Sequence, residues 1–297
     1  MKLRKKLEMA MDLMRDYHHI FQCPICKTKM SIQEPSSLIC QNSHCFNLSK
    51  RGSVHFLLDA PSTDYDKTML ESRKIICRSG FFASLLDRIL QLIHEELPFR
   101  SKEIFRILDL GTGEGSHLAE IIESLKKSTS FRWLGVGMDI SKAGIDLAAR
   151  DYPGLIWCVG DLARSPYQSD SFDLILNILS PSNYEEFLRI AHGEGLLLKV
   201  IPTGQYLREL RELFYEEKET QEYSNDRVRE LFAEKMQIIR QEKVEYYAKL
   251  SPENWQHLIR MTPLSWGTSA EKLESALSLP ASEVSVGFEI LLGKRKG

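Results

Sequence analysis

The chain has 297 residues, 43% hydrophobic and 27% charged, with a formal net charge of −2. Such values belong to an ordinary folded protein, and the length suits one large α/β domain plus a smaller module. No run of about 18 apolar residues is present, which argues against a membrane-spanning helix, and the neutral balance does not announce a nucleic-acid binder. The charge is nevertheless uneven: residues 1–100 carry 15 Lys+Arg against 11 Asp+Glu, and the remainder 24 against 30. The basic start Met1-Lys2-Leu3-Arg4-Lys5-Lys6 leads into no apolar signal core, so the chain is expected in the cytosol. Its six cysteines then read as metal ligands or free thiols and not as disulfides.

In chain order, residues 1–20 place Leu3, Leu7, Ala10, Met14 and Tyr17 on one stripe of a helix, which most simply packs on its own protein. Residues 21–60 form a cysteine-bearing module with short apolar pieces. Residues 61–100 hold linker and helices, with turn-type residues around 59–64 and a helical stretch after Gly80 whose Phe82, Leu85, Leu86, Ile89, Leu90 and Ile93 share an apolar face. From residue 101 to 297 strands and helices alternate: strands at 104–110, 132–139, 155–159, 172–178 and 195–201, helices near 115–127, 142–150 and 183–191. That order predicts a mostly parallel sheet covered on both faces. The tail predicts charged helices at 204–236, a strand near 241–248 and a last strand near 283–293.

Cys23-Pro24-Ile25-Cys26 is a Cys-x-x-Cys knuckle, and Cys40-Gln41-Asn42-Ser43-His44 offers a second pair. A two-residue gap lets one tight turn present two thiolates to one ion, and zinc takes four such ligands in a tetrahedron. Cys45 adjoins His44 and offers an all-cysteine alternative. Four protein ligands leave no open position for water, so the predicted zinc is structural. Cys77 and Cys158 stand alone and read as buried thiols. Lys27, Lys29, Lys50 and Arg51 decorate the module and suit phosphate contacts.

The run Ile104-Phe105-Arg106-Ile107-Leu108-Asp109-Leu110-Gly111-Thr112-Gly113-Glu114-Gly115-Ser116-His117 feeds an apolar strand through a glycine-rich turn into a helix, which lets a ligand approach backbone amides closely. Its Asp-x-Gly-x-Gly-x-Gly spacing departs from the Gly-x-Gly-x-x-Gly of pyrophosphate-binding loops and resembles motif I of the class I methyltransferases. A nicotinamide site is thereby demoted. Asp139 ends the next strand, where a carboxylate can accept both ribose hydroxyls, and Asp161 follows the third strand, at the position that faces the adenine in the methyltransferase pattern this loop resembles. Each acid taken singly also reads as a cap or turn residue. The fourth strand ends Asn177-Ile178-Leu179-Ser180-Pro181, unlike the Asn/Asp-Pro-Pro-Tyr/Phe of amino-group methyltransferases, and offers no cysteine for pyrimidine C5 chemistry.

The Cys-x2-Cys-x13-Cys-x3-His spacing, then Gly52-Ser53-Val54-His55-Phe56-Leu57-Leu58, Val136-Gly137-Met138-Asp139-Ile140-Ser141-Lys142 and Met261-Thr262-Pro263-Leu264-Ser265-Trp266, together resemble the RlmA family of 23S rRNA guanine-N1 methyltransferases from about residue 21 to the C-terminus. Ser180-Pro181-Ser182-Asn183-Tyr184-Glu185-Glu186-Phe187 is similar to its Gram-positive, macrolide-resistance-linked branch. The resemblance implies a class I S-adenosylmethionine-dependent methyltransferase, with a Rossmann-like, mostly parallel seven-stranded sheet and an N-terminal zinc-ribbon-like module. It implies methylation of N1 of a guanine in a domain II hairpin loop (position 748, or else 745), and a homodimer whose zinc modules grip the RNA. The implied zinc ligands are Cys23, Cys26, Cys40 and His44. The implied cofactor contacts are Phe82, then Asp109, Gly111, Gly113, Gly115, Ser116, His117 and Leu118 around the loop, Asp139 and Ile140, Asp161 and Leu162, and Tyr206, which stands where the family has histidine. Thr112 replaces a cysteine frequent in the loop. No catalytic base is identifiable. A methyltransferase acting on a small molecule or protein, or a non-catalytic RNA-binding factor, are the alternatives.

Overall fold

The computed structural model describes residues 3–58, 66–97, 103–215, 224–279 and 283–297; the turn-rich run 59–64 lies outside them. Its centre is an eight-stranded sheet built from β4 (Val54–His55), β5 (Ile104–Leu110), β6 (Arg132–Asp139), β7 (Ile156–Val159), β8 (Phe172–Ile178), β9 (Ala191–Pro202), β10 (Met236–Lys249) and β11 (Glu283–Arg295). The spatial order is β10-β11-β9-β8-β5-β6-β7-β4. All pairings from β4 to β9 are parallel, while β11 runs antiparallel to both β9 and β10. The region from residue 101 onward supplies the seven expected strands, β5 to β11, and an eighth, β4, joins their edge. The extra one comes from the cysteine-bearing segment, where Val54 and His55 pair with Cys158 and Val159 and the Phe56 amide donates to the Val159 carbonyl at 2.8 Å.

Buried parallel strands need apolar side chains on both faces, which is why β5, β6 and β8 read as continuous hydrophobic runs. One face is covered by α2 (Lys67–Arg78), α3 (Ala83–Glu96), α4 (Ser116–Ser128), α5 (Lys142–Asp151), α7 (Arg208–Phe214), α9 (Pro252–Met261) and α10 (Ala270–Ser278). The other is covered by α1 (Leu3–Tyr17), the cysteine-bearing segment, α6 (Tyr184–Ile190) and α8 (Asp226–Lys235). The strand order reverses between β5 and β8, so the carboxyl ends of β5, β6, β7 and β8 open onto a crevice of the kind that receives ligands in doubly wound sheets.

The apolar stripe of α1 lies on its own chain: Ala10, Met11, Met14 and Tyr17 are buried, and the Tyr17 hydroxyl accepts from Arg132 at 3.3 Å. Three helices whose bounds the sequence reading did not place carry orderly starts. Asp66 accepts from the Met69 amide at 2.7 Å ahead of α2, Ser251 precedes Pro252 at the first turn of α9, and Ser269 caps α10. These are ordinary N-cap chemistry. The tail strand β10 begins at Met236, earlier than expected, because its ladder with β11 continues to Arg295.

Candidate functional site

Three short antiparallel strands, β1 (Met30–Gln33), β2 (Ser37–Cys40) and β3 (Cys45–Asn47), frame the first site. Lys27 and Ser43 adopt left-handed backbone conformations that close two tight knuckles, with the Lys27 amide donating to the Cys23 carbonyl and that of Ser43 to Cys40, each at 2.9 Å. The ligand atoms of Cys23, Cys26, Cys40 and His44 lie within 4.8 Å of one another. Cys26 Sγ and Cys40 Sγ are 3.6 Å apart, and His44 Nδ1 sits 3.5 Å from Cys23 Sγ and 3.3 Å from Cys40 Sγ. A tetrahedral zinc with about 2.3 Å bonds to sulfur and about 2.0 Å to nitrogen has edges of roughly 3.5–3.8 Å, so donor set and spacing fit that ion. Cys45 faces the other way, exposed and 3.5 Å from Asn47 Oδ1. A hydrogen bond from the Thr28 hydroxyl pulls the Cys26 thiol down to about 5, toward the thiolate a metal binds.

This small module shares its core with the sheet. Phe46 and Phe56 pack at 5.2 Å, Phe21 and Phe56 at 5.5 Å, and Phe21 against Tyr167 at 5.5 Å. The Gln22 amide also donates to the Pro166 carbonyl at 2.9 Å.

The second site is a cavity of about 900 Å³ at the carboxyl ends of the strands, near the upper end of the roughly 300–1,000 Å³ usual for ligand sites. Of the residues expected at a cofactor, Gly111, Gly113, Asp139, Ile140, Asp161, Leu162 and Tyr206 line it. Gly111 has φ +81°, and a side chain there would meet Ser180 Cβ at 2.4 Å; only glycine gives this turn its conformation and closeness together. Asp139 Oδ2 accepts from the Gly113 amide and Oδ1 from the Ser141 amide, both at 2.7 Å. Each carboxylate oxygen keeps further acceptor capacity. Asp161 accepts from the Ala163 amide at 2.8 Å. Both acids thus do the capping work of the simpler reading and still line the cavity.

The other expected contacts lie behind this surface. Phe82 is 1% exposed, with its ring edge-on to His117 at 4.8 Å. Gly115 caps α4, with Leu118 buried in its first turns. Ser116 donates to Glu114 Oε2 at 2.6 Å, and Cys77 Sγ lies 3.7 Å from both Glu114 Oε1 and His117 Nε2. Burial drives His117 down to about 3, and burial raises Asp109 to about 7. Asp109 Oδ1, Thr112 Oγ1 and Arg73 Nε are buried without hydrogen-bond partners among the described residues. Buried polar atoms of both polarities with spare bonding capacity, beside a left-handed glycine turn, fit a ligand carrying an ammonium and a carboxylate.

Sequence reasoning missed the far wall. Arg73 of α2 lines the cavity beside Gly113 and pairs with Glu114 at 3.9 Å. Lys199, Arg211 and Tyr184 also line it. A lysine inside Leu196-Leu197-Leu198-Lys199-Val200-Ile201 was the available signal, because a charge in a fully buried strand needs a reason.

Residues 21–58 match the zinc-ribbon model described as RlmA, N-terminal, and residues 107–193 match a methyltransferase domain model. The Bacillus subtilis (strain 168) protein YxjB, provisionally named a 23S rRNA (guanine-N(1)-)-methyltransferase, is 36% identical over 93% of this chain and 97% of its own length. The chain belongs to the RlmA-related family of S-adenosylmethionine-dependent methyltransferases. A Streptomyces fradiae relative of this RlmA-type chain, named 23S rRNA (guanine(748)-N(1))-methyltransferase, is 26% identical over 85% of the chain and 88% of its own length. The Mycobacterium ulcerans phthiotriol/phenolphthiotriol dimycocerosates methyltransferase 1 is 28% identical over only 34% of the chain and 35% of its own length. No helix among the described residues is long and apolar enough to cross a membrane.

Proposed function

We propose that this chain methylates N1 of a guanine in a hairpin loop of 23S rRNA domain II, with the position numbered 748 favoured over 745. The observation that carries this reading is the pairing of one zinc ribbon with one methyltransferase domain along nearly the whole length of YxjB. Methyltransferases outside the family share about a third of the chain, too little to transfer a substrate. The target in the Streptomyces relative's name, guanine 748, supports the choice of position. In the proposed complex Asp139 receives the ribose hydroxyls, Asp161 faces the adenine, and Asp109 and Arg73 answer the ammonium and carboxylate of the amino-acid end. The bound cofactor supplies an electrophilic methyl group. The chain's part is to hold the guanine N1 in line beside the tip of β8, where orientation does most of the catalytic work. The target base leaves its stack to enter the cavity.

Zinc at Cys23, Cys26, Cys40 and His44 is proposed to hold the RNA-facing module, whose Lys27, Lys29, Lys50 and Arg51 supply phosphate contacts. Function as a homodimer and in the cytosol belongs to the same proposal, as does an effect on macrolide susceptibility. The test is purified protein with S-adenosylmethionine and a transcript of the domain II hairpin, read by mass analysis and primer extension. A methyl group on one loop guanine, blocking extension there, is expected. An unmodified hairpin, together with an unchanged guanine in ribosomes from a deletion strain, overturns the reading.

A further inference from the structure

β9 carries a lysine where a strand buried on both sides calls for an aliphatic residue. Lys199 is 4% exposed and lines the cavity beside Ser180 and Tyr184. Its Nζ donates to Asn177 Oδ1 at 2.6 Å and to the Ser180 carbonyl at 3.2 Å. Asn177 cannot turn its amide around: Nδ2 donates to the Leu110 carbonyl at 3.2 Å and the Pro181 carbonyl at 2.8 Å, with Ser180 Oγ at 2.6 Å. Oδ1 is therefore fixed toward Lys199. Leu179, between these residues, has φ +53°, so the tip of β8 is bent around the amine.

Among the described residues no carboxylate forms an ion pair with this lysine. Glu289 of β11 points from the same face but is already bound by Arg229 at 3.0 Å and Gln241 at 2.8 Å. The other charged or titratable groups that the surrounding elements bring to the cavity are Tyr184 from α6, Tyr206, Arg211 and Tyr215 around α7, Arg227 from α8, Arg73 from α2, and Asp139 and Asp161 across it. Burial alone drives the amine down, to about 8. Two acceptors occupy two N–H bonds, and in the neutral amine what remains at the third position is a lone pair.

We infer that Lys199 is the general base that takes the N1 proton of the target guanine. This rests on the guanine reading above. As the carbon–sulfur bond of the donor breaks and N1 bonds to the methyl carbon, the N1–H bond breaks toward Nζ. The products are a neutral methylguanine, a thioether and a Lys199 ammonium that returns its proton to solvent. Asn177 is a positioning residue that aims the amine, and the absence of a carboxylate partner lets Lys199 be neutral near the working pH.

The experiment is single-turnover methylation of the hairpin by the full chain and by K199M and K199R, from about pH 6 to about pH 10, alongside binding of S-adenosylhomocysteine. The wild-type rate should climb with pH and level off near the amine's own titration. Both variants should lose at least ~100-fold in rate and lose that break, with product-cofactor affinity and melting temperature retained. A second readout needs no reaction: the ¹³Cε signal of Lys199, assigned by its disappearance in K199R, should titrate near that same break in the free protein. If wild type methylates the guanine and K199R keeps both rate and break, or if Lys199 stays protonated to about pH 10 as an ordinary lysine does, the base assignment falls while the guanine reading stands. If wild type makes no methylguanine, the guanine reading falls and takes the base with it.

Discussion

Residues 21–58 and residues 104–295 reach order by different routes. In the first, strands of four, four and three residues surround a Cys3His cluster, and the aromatic side chains that finish its core belong partly to the other region. In the second lie seven of the eight strands of the central sheet, and all of these but the exposed edge strand β10 bury a continuous set of aliphatic side chains between the two covering layers. A short segment with little apolar area of its own would draw stability from metal–ligand bonds at such a cluster, whereas the large one draws it from area removed from water. The regions should therefore fail under different insults.

The largest expected effect is on the small region. Cys26→Ser should reduce bound zinc from about one ion per chain to near zero and weaken hairpin binding by at least ~100-fold, while S-adenosylhomocysteine affinity moves by less than about 5-fold. Metal analysis and calorimetry on the same preparation check both halves. Next, Asp139→Ala should leave zinc untouched but weaken cofactor binding by roughly 30-fold or more, since it removes the acceptor of the Gly113 and Ser141 amides and the proposed acceptor of the ribose hydroxyls. Unchanged affinity in a titration would remove the ribose assignment.

A smaller effect separates the regions by acid. His117 is held neutral down to about 3 by burial against an ordinary 6.5, so its folded pKa is depressed. The unfolded chain takes up a proton below about 6.5 that the folded chain refuses, and this contribution to stability is present above that pH and shrinks as pH falls toward 3. Asp109, raised to about 7 from 3.8, works in the opposite sense over nearly the same window, which masks the histidine in the wild type. The destabilisation caused by His117→Gln should therefore shrink by about 2 kcal/mol between about pH 7.5 and about pH 5. Denaturant melts at the two pH values measure it, and a pH-independent difference refutes the buried neutral histidine. The smallest effect is the most specific. Cys45→Ser should change neither zinc content nor melting temperature, because Cys45 points away from the cluster.

Much of this was legible before any coordinates. Continuous apolar runs located β5, β6 and β8 because burial on both faces leaves no room for alternation. The spacing of Cys23, Cys26 and Cys40 marked one cluster with His44 or Cys45 as its fourth member, and the family resemblance, not the spacing, singled out His44. The missing parts share a physical cause. The apolar piece from Val54 to Leu58 read as a short strand, but β4 is two residues long and nothing local announced its pairing with β7. Arg73, Lys199 and Arg211 meet across the cavity from positions far apart in the chain, and nothing local announces that meeting. α2 lay behind turn residues, although Asp66 three places before Met69 was a readable start signal.

The two-residue β4 also has a consequence for solubility. An outermost parallel strand offers a row of unpaired amides and carbonyls to any other chain. Here that row on β7 is met by Val54, His55 and Phe56, so the metal-binding segment doubles as a cap on the sheet's border. Cutting the chain after residue 58 would do more than remove the zinc-ribbon-like module. It would uncover the flank of β7 together with Tyr167, whose ring now lies against Phe21, and the trimmed enzyme should self-associate unless a new capping strand is supplied.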